Sequence, residues 1–134
     1  MHAIEVQAGE GRYLITLCGW TTEGCGICAF LTGGERPHNG GTVVANPRLK
    51  SNAKHGEDRT ADLWVSGVPG HKDTEIGMPV AKHLAVALNE AVSLTSGIHM
   101  DHARPDEVKL LCDNCFAAAD KFIAAYLAER AGKA

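Results

Sequence analysis

Clusters of apolar residues in the first half of the chain predict short strands. Residues 11–17 (GRYLITL) mix aromatic and β-branched side chains, and residues 25–31 (CGICAFL) form a second apolar run. A short polar turn separates them, which predicts an antiparallel hairpin. A third strand is predicted at residues 42–45. The polar and basic residues 46–60 predict a mobile surface loop.

The second half alternates between strand and helix patterns. Residues 62–67 (DLWVSG) predict a strand, and residues 74–89 predict a helix because apolar side chains recur every three or four positions. Residues 91–96 (AVSLTS) predict a further strand, and a long helix begins at Pro105 and runs to about Arg130. This β-α-β-α order predicts two adjacent parallel strands whose carboxyl ends meet at one edge of the sheet.

The predicted fold is a single α/β domain over residues 1–134. Its mixed sheet combines the N-terminal antiparallel hairpin or meander with the C-terminal β-α-β-α unit, and the helices pack on the sheet. The chain is 45% hydrophobic and 22% charged, which is ordinary for a globular domain of this length.

Charge and hydropathy exclude several partners. A net charge of -3 gives no general attraction to nucleic acid, and no apolar stretch reaches the ~20 residues that span a bilayer. Glu5 and Glu10 stand where a secretory signal would need a basic and then an apolar run. We therefore expect a cytoplasmic protein. A homodimer is the expected oligomer for a small protein of this kind.

Two polar loops follow the two predicted parallel strands, at residues 69–75 and 97–102. The first leads directly into a helix, whose free N–H groups and positive dipole end favour an anion. Gly70 allows close backbone approach, and Lys72 adds positive charge. In open α/β sheets, ligands bind beyond the carboxyl ends of strands. The pattern predicts a phosphate site.

The same loops carry imidazole and carboxylate groups: His71, Asp73, His99, Asp101 and His102. These groups suit a divalent metal that bridges to a phosphate. His38, in a glycine-rich loop, is a candidate to join them. Taken singly, Asp73 and Thr74 also fit helix N-caps, Asp101 a turn former and Lys72 a surface charge.

Two Cys-x-x-Cys pairs, Cys25 with Cys28 and Cys112 with Cys115, have the spacing of a zinc site. The first pair is predicted within a strand, where residues three apart point to opposite faces, and the second within a helix. Buried thiols are therefore favoured over a four-cysteine zinc or iron–sulfur site. The chain also lacks a nucleophile motif, a Walker loop and a complete dinucleotide fingerprint, which favours binding over catalysis.

Four segments carry a resemblance to a known family: VPGHKDTE at 68–75, SGIHMD at 96–101, TGG at 32–34 and PHNG at 37–40. In these segments the chain resembles the LpdD-like prenylated-flavin chaperones. The resemblance implies a non-catalytic protein that binds prenylated FMN, or FMN, and serves a UbiD-type decarboxylase. The implied binding positions are His38, Gly70, His71, Lys72, Asp73, Glu75, His99 and Asp101. His102 is added from the loop pattern alone.

Two other functions remain open at this point. One is a small metal-dependent hydrolase or lyase that uses His71, His99 and Asp101 around a metal-bound water. The other is a structural subunit whose four cysteines bind zinc. No general base or nucleophile is evident in the sequence, and this favours the cofactor-binding chaperone.

Overall fold

The apolar runs of the chain pair into one six-stranded mixed sheet with two helices packed on it, in a computed structural model that describes residues 1–55 and 58–133. The strands are β1 (His2–Ala8), β2 (Ile15–Thr21), β3 (Ile27–Gly34), β4 (Gly41–Leu49), β5 (Arg59–Gly67) and β6 (Val92–His99). The helices are α1 (Thr74–Leu88) and α2 (Pro105–Gly132), and a 3-10 turn at Gly11–Tyr13 precedes β2. The predicted α/β fold is confirmed.

The strand order is β1-β2-β3-β6-β4-β5, which corrects one prediction. β5 and β6 run in the same direction, as predicted, but they are not adjacent. β4 lies between them and is antiparallel to both. Because β4 begins where β5 and β6 end, the segment 35–40 before β4 lies at the same edge as the two predicted loops. β3 pairs in parallel with β6, so it also ends at this edge.

One face of the sheet holds the core. Ile15, Leu17 and Leu31 point toward the helices and are fully buried, as are Val43 and Leu94. α1 covers β4, β5 and β6, while α2 covers β1 and β2. Within residues 1–55 and 58–133, no helix combines the length and apolar character that a membrane crossing requires.

The opposite face of the sheet is not covered by either helix. We call it the uncovered face. Trp20 on β2, Phe30 on β3 and Trp64 on β5 are 50%, 41% and 71% exposed there. Both tryptophans of the chain therefore face away from the hydrophobic core.

The N-terminal strands differ from the prediction in their bounds. The hairpin is confirmed, because β2 and β3 pair antiparallel, but the first strand begins at Ile15 rather than Gly11. β1 was not predicted. It pairs along its whole length with β2, and its polar Glu5 and Gln7 alternate with inward side chains, as an edge strand allows.

The predicted mobile loop at 46–60 was wrong where it overlaps the strands. Residues 46–49 continue β4 and residues 59–60 begin β5, and Arg48 holds Asp62 across them with Nε–O distances of 2.9 and 3.0 Å. Pro47 has no backbone N–H to donate. It is tolerated because β6 pairs with β4 only as far as Ala45, so no hydrogen bond to β6 is lost at this position. Residues 56 and 57 of that loop lie outside the described residues.

Candidate functional site

Three chain segments meet at the sheet edge where β5 and β6 end and β4 begins. They are residues 35–40, residues 68–75 and residues 97–102. The first is bonded to β6, just before the third segment, through a backbone hydrogen bond from the Gly40 N–H to the Ser96 carbonyl (2.8 Å). It binds the second through a bond from the Val68 N–H to the Gly40 carbonyl (3.1 Å). The segment 35–40 thus lies between the two predicted loops.

Asp73 joins all three segments through its side chain and backbone. Its Oδ2 lies 2.9 Å from Nε2 of His38, and its Oδ1 accepts the backbone N–H of Ile98 at 2.8 Å. Its carbonyl accepts the Ser96 hydroxyl (2.9 Å) and the Gly77 N–H (3.0 Å). Although Asp73 is the N-cap residue of α1, its side chain makes no capping bond. The side chain serves the site rather than the helix.

Two glycines allow this close approach. A Cβ at Gly97 would overlap the His38 carbonyl, and a Cβ at Gly40 would overlap the Asp73 carboxylate. Any larger residue at either position would push His38 and Asp73 apart.

His38 is held in a defined orientation between two acceptors. Its Nδ1 donates to the Arg36 carbonyl at 2.9 Å, which leaves Nε2 facing Asp73. The bond to the Arg36 carbonyl, and then the Asp73 carboxylate, raise the pKa of His38, although partial burial opposes the shift. The ring is therefore both oriented and more easily charged than a free histidine.

Two further imidazoles lie beside His38. The ring of His71 is 4.8 Å from that of His38, centroid to centroid, and the ring of His99 is 6.4 Å away in an edge-on arrangement. Nδ1 of His71 lies 3.6 Å from Oδ2 of Asp73. Donor atoms of His38, His71 and Asp73 all lie within 4.8 Å of one another, and no other such group of three occurs in the described part of the chain.

This group differs in part from the predicted metal set of His71, His99 and Asp101. His38 and Asp73 lie closest to His71, whereas Nε2 of His99 is bonded to Asp101 at 2.8 Å. The His99 bond lowers the pKa of Asp101, with Arg36 adding to the effect. The difference follows from β4, which places its preceding segment between the two loops.

A cavity of about 610 Å³ opens beside the histidines, within the usual volume of small-molecule sites. Seven of the predicted binding residues line it, and we call this group its polar end: His38, Gly70, His71, Lys72, Asp73, Glu75 and His99. Asp101 and His102 do not line it. Asp101 is exposed beside His99, and His102 is exposed in a turn.

The other lining residues are apolar, and we call this group the apolar arm. The helices contribute Ile76, Val108, Leu111, Cys112 and Cys115, and the end of β6 with its following loop contributes Ile98, Met100 and Ala103. None of these residues was predicted as part of a site. The α2 residues recur at positions 108, 111, 112 and 115, which is the spacing of one helix face. That spacing predicts an apolar helix face, but it does not predict whether the face packs in the core or lines a cavity.

The four cysteines of the two Cys-x-x-Cys pairs are not brought together. Cys25 is exposed in the turn before β3, which corrects its predicted place inside the strand, and Cys28 is exposed on β3. Cys112 and Cys115 lie on α2, across the sheet from Cys28. Burial raises the pKa of Cys115 to about 12, which is typical of a structural thiol.

Comparison with known proteins identifies the family and the fold of the chain. The family model for the prenylated flavin chaperone LpdD-like domain matches residues 9–127. No curated protein matches the chain. A crystal structure of a chaperone complex for yeast 20S proteasome assembly contains a similar chain, with a TM-score of 0.54, 10% identity, and coverage of 97% of this chain and 99% of that one. At such low identity the similarity shows the fold alone. Because the family model spans most of its length, this chain belongs to the family of prenylated flavin chaperone LpdD-like domains.

Proposed function

We propose that this protein is a non-catalytic binding protein for prenylated FMN, or FMN, that holds the cofactor by its phosphate and delivers it to a UbiD-type decarboxylase. One observation carries the proposal: a single cavity is lined both by the polar side chains of His38, His71 and Lys72 and by the apolar arm. A flavin nucleotide has the same two parts, a phosphate and a ring system. Family membership supports prenylated FMN as the ligand.

The polar end suits a phosphate in two ways. In the direct mode, Lys72 and the N-terminus of α1 attract the anion, while a protonated His38 and the Ile98 N–H compensate the charge of Asp73. In the metal-bridged mode, His38, His71 and Asp73 would hold a divalent cation, and the cation would bind the phosphate.

The donor set fits such a cation. Two imidazole nitrogens and one carboxylate oxygen suit first-row divalent ions and leave positions open for phosphate oxygens. The His38 ring already has the arrangement common to metal-binding histidines, with the second nitrogen bonded to a backbone carbonyl. His99 and Asp101 flank the site in both modes.

We also propose that the protein acts in the cytoplasm as a homodimer formed through the uncovered face. The uncovered face has an area of roughly 650 Å², because it comprises six strands about 4.8 Å apart, each about seven residues long with a rise of roughly 3.3 Å per residue. This approaches the about 800 Å² that each partner contributes to a standard interface. The exposed Trp20, Phe30 and Trp64 are residue types enriched in interfaces.

The decisive experiment measures binding of prenylated FMN to the metal-free and metal-loaded protein by absorbance and calorimetry. We expect stoichiometric binding that H71A weakens, and transfer of the cofactor to an apo-decarboxylase. H83A is the matched control, because His83 forms a similar pair with Asp120 (2.6 Å) on the outside of the helices. A protein that takes up no prenylated FMN in either form contradicts the proposal. Loss of binding with a chelator selects the metal-bridged mode.

A metal-dependent hydrolase or lyase is the second candidate, and the group of His38, His71 and Asp73 favours it. A metal held there would activate a water molecule. The same metal-loaded protein should then turn over a phosphate or carboxylate ester, and H71A should abolish the turnover. Tight cofactor binding without turnover supports the chaperone instead.

A further inference from the structure

We propose that the apolar arm receives the benzenoid and prenyl-bearing part of the flavin ring, so that the arm, rather than the phosphate site, selects prenylated FMN over other phosphate esters. This inference rests on the proposed function. It assigns a second, separate part of the ligand to residues outside the histidine cluster.

The side chains of the arm offer no hydrogen-bonding or charged partner to a polar group of a ligand. The four residues that α2 contributes to the lining carry no charge, whereas the charged Lys72, Asp73 and Glu75 come from the segment before α1 and from its first turn. The arm offers only aliphatic side chains, a thioether and two thiols. A sugar or a second phosphate placed there would lose its water without gaining hydrogen bonds, whereas an apolar ring would gain by burial.

The arm is accessible rather than packed shut. Leu111 and Cys115 form a buried floor, while Val108 is 48% exposed and Cys112 is half-buried at the rim. An apolar surface that stays open beside a charged cluster is typical of ligand sites. The ring can therefore enter with its polar pyrimidine edge toward solvent.

Sulfur atoms make the arm suited to an aromatic ring. Met100, Cys112 and Cys115 all contribute to the wall, and sulfur makes favourable contacts with aromatic rings. Burial raises the pKa of Cys112, with Asp113 adding to the effect, so both thiols stay protonated near neutral pH and pack as small apolar groups. No Phe, Tyr or Trp of the described residues lines this cavity, so the ring is held by aliphatic and sulfur contacts instead of stacking.

The test uses four probes on the full chain: prenylated FMN, FMN, riboflavin and ribose 5-phosphate. Alkylation of the native Cys112 in mildly alkaline buffer, where part of this thiol is ionised, reports occupancy of the arm, and the exposed Cys25 and Cys28 serve as internal references. We expect prenylated FMN and FMN to protect Cys112, and ribose 5-phosphate to bind without protecting it. The added apolar carbon should make prenylated FMN bind about tenfold more tightly than FMN.

A matched pair of variants provides the second measurement. Val108→Asp places a carboxylate at the rim of the arm, in the first turn of α2, where an acidic residue is well tolerated. Leu110→Asp, two residues away, changes a side chain that is 41% exposed and does not line the cavity. We expect V108D to weaken flavin binding at least about tenfold while it keeps ribose 5-phosphate binding, and L110D to change neither.

The outcomes separate the two proposals. If prenylated FMN binds but leaves Cys112 as reactive as before, and V108D binds it normally, the ring lies elsewhere and this inference is overturned while the proposed function stands. If the wild-type protein binds no flavin at all, both are overturned.

Discussion

Nε2 of His38 and Oδ2 of Asp73 lie 2.9 Å apart, although 35 positions separate the two residues in the chain. The pair is mostly buried at the edge of the sheet, and Asp73 also holds the backbone N–H of Ile98. One carboxylate thus connects the segment before β4, the start of α1 and the end of β6. The polar end of the cavity depends on this connection.

Removal of the Asp73 carboxylate should destabilise the protein. D73A leaves the N–H of Ile98 without its acceptor, so we expect the free energy of unfolding to fall by about 2 kcal/mol in urea denaturation. D120A removes a similar His–Asp pair on the surface and should cost less than about 0.5 kcal/mol. Equal losses in the two variants would show that Asp73 has no special structural role.

Substitution of Gly97 should disturb the site more than the fold elsewhere. The Cβ of G97A would overlap the His38 carbonyl, so the backbone of His38 must move, which displaces its ring relative to Asp73 and His71. We expect a loss of cofactor binding and a lower melting temperature. G132A is the control, because a Cβ at Gly132 meets no atom within 4 Å. Unchanged binding in G97A would contradict the geometry of the site.

His38 and His71 should act as one unit in binding, and His71 and His99 should also be coupled. The first two rings are 4.8 Å apart and share Asp73. Residues that share a ligand or network show coupling of about 0.5–3 kcal/mol, so each double alanine variant should lose less affinity than the two single variants together. Calorimetric titration of the singles and doubles measures this. Strictly additive losses would mean that the three segments do not form one site.

The stability of the protein should fall in mildly alkaline solution. Burial raises the pKa of Cys115 to about 12, while an unfolded thiol ionises near about 8.5. The stabilisation is therefore complete below about pH 8.5 and is lost as pH rises toward 12, because the unfolded state releases its proton first. C115A should reduce the slope of unfolding free energy against pH in this range, whereas the exposed C25A should leave the slope unchanged.

A charge on the uncovered face should separate the proposed dimer. W64E places a carboxylate at the most exposed large aromatic residue of the sheet, and light scattering should then give the mass of a monomer. L127E alters an exposed apolar residue of α2 on the other side of the molecule and should remain dimeric. A wild-type protein that is monomeric at all concentrations would contradict the dimer.

The fold class and most of the site residues could be predicted from the pattern of residues along the chain. Apolar periodicity indicated β3, β6 and both helices, because a buried face must repeat with the period of its element. Polar residues after the predicted strands, such as His71 and His99, were recognised because polar groups there have few structural reasons to cluster, although the structure extends β6 beyond the predicted residue 96 to His99. Seven of the nine predicted binding residues line the cavity.

Which of these residues are in contact, and what lies beside them, depends on how the strands and helices pack together. The insertion of β4 between β5 and β6 follows from long-range pairing, which leaves no local signal, and it makes His38 the partner of Asp73. The side chain of Asp73 makes no capping bond to its own helix, because it is bonded to His38 and to the Ile98 N–H instead. The apolar arm was also beyond prediction. One apolar face of α2 is marked by the spacing of Val108, Leu111, Cys112 and Cys115. The same spacing is expected whether this face packs in the core or lines an open cavity. The packing of α2 against α1 and the sheet leaves the face lining a cavity.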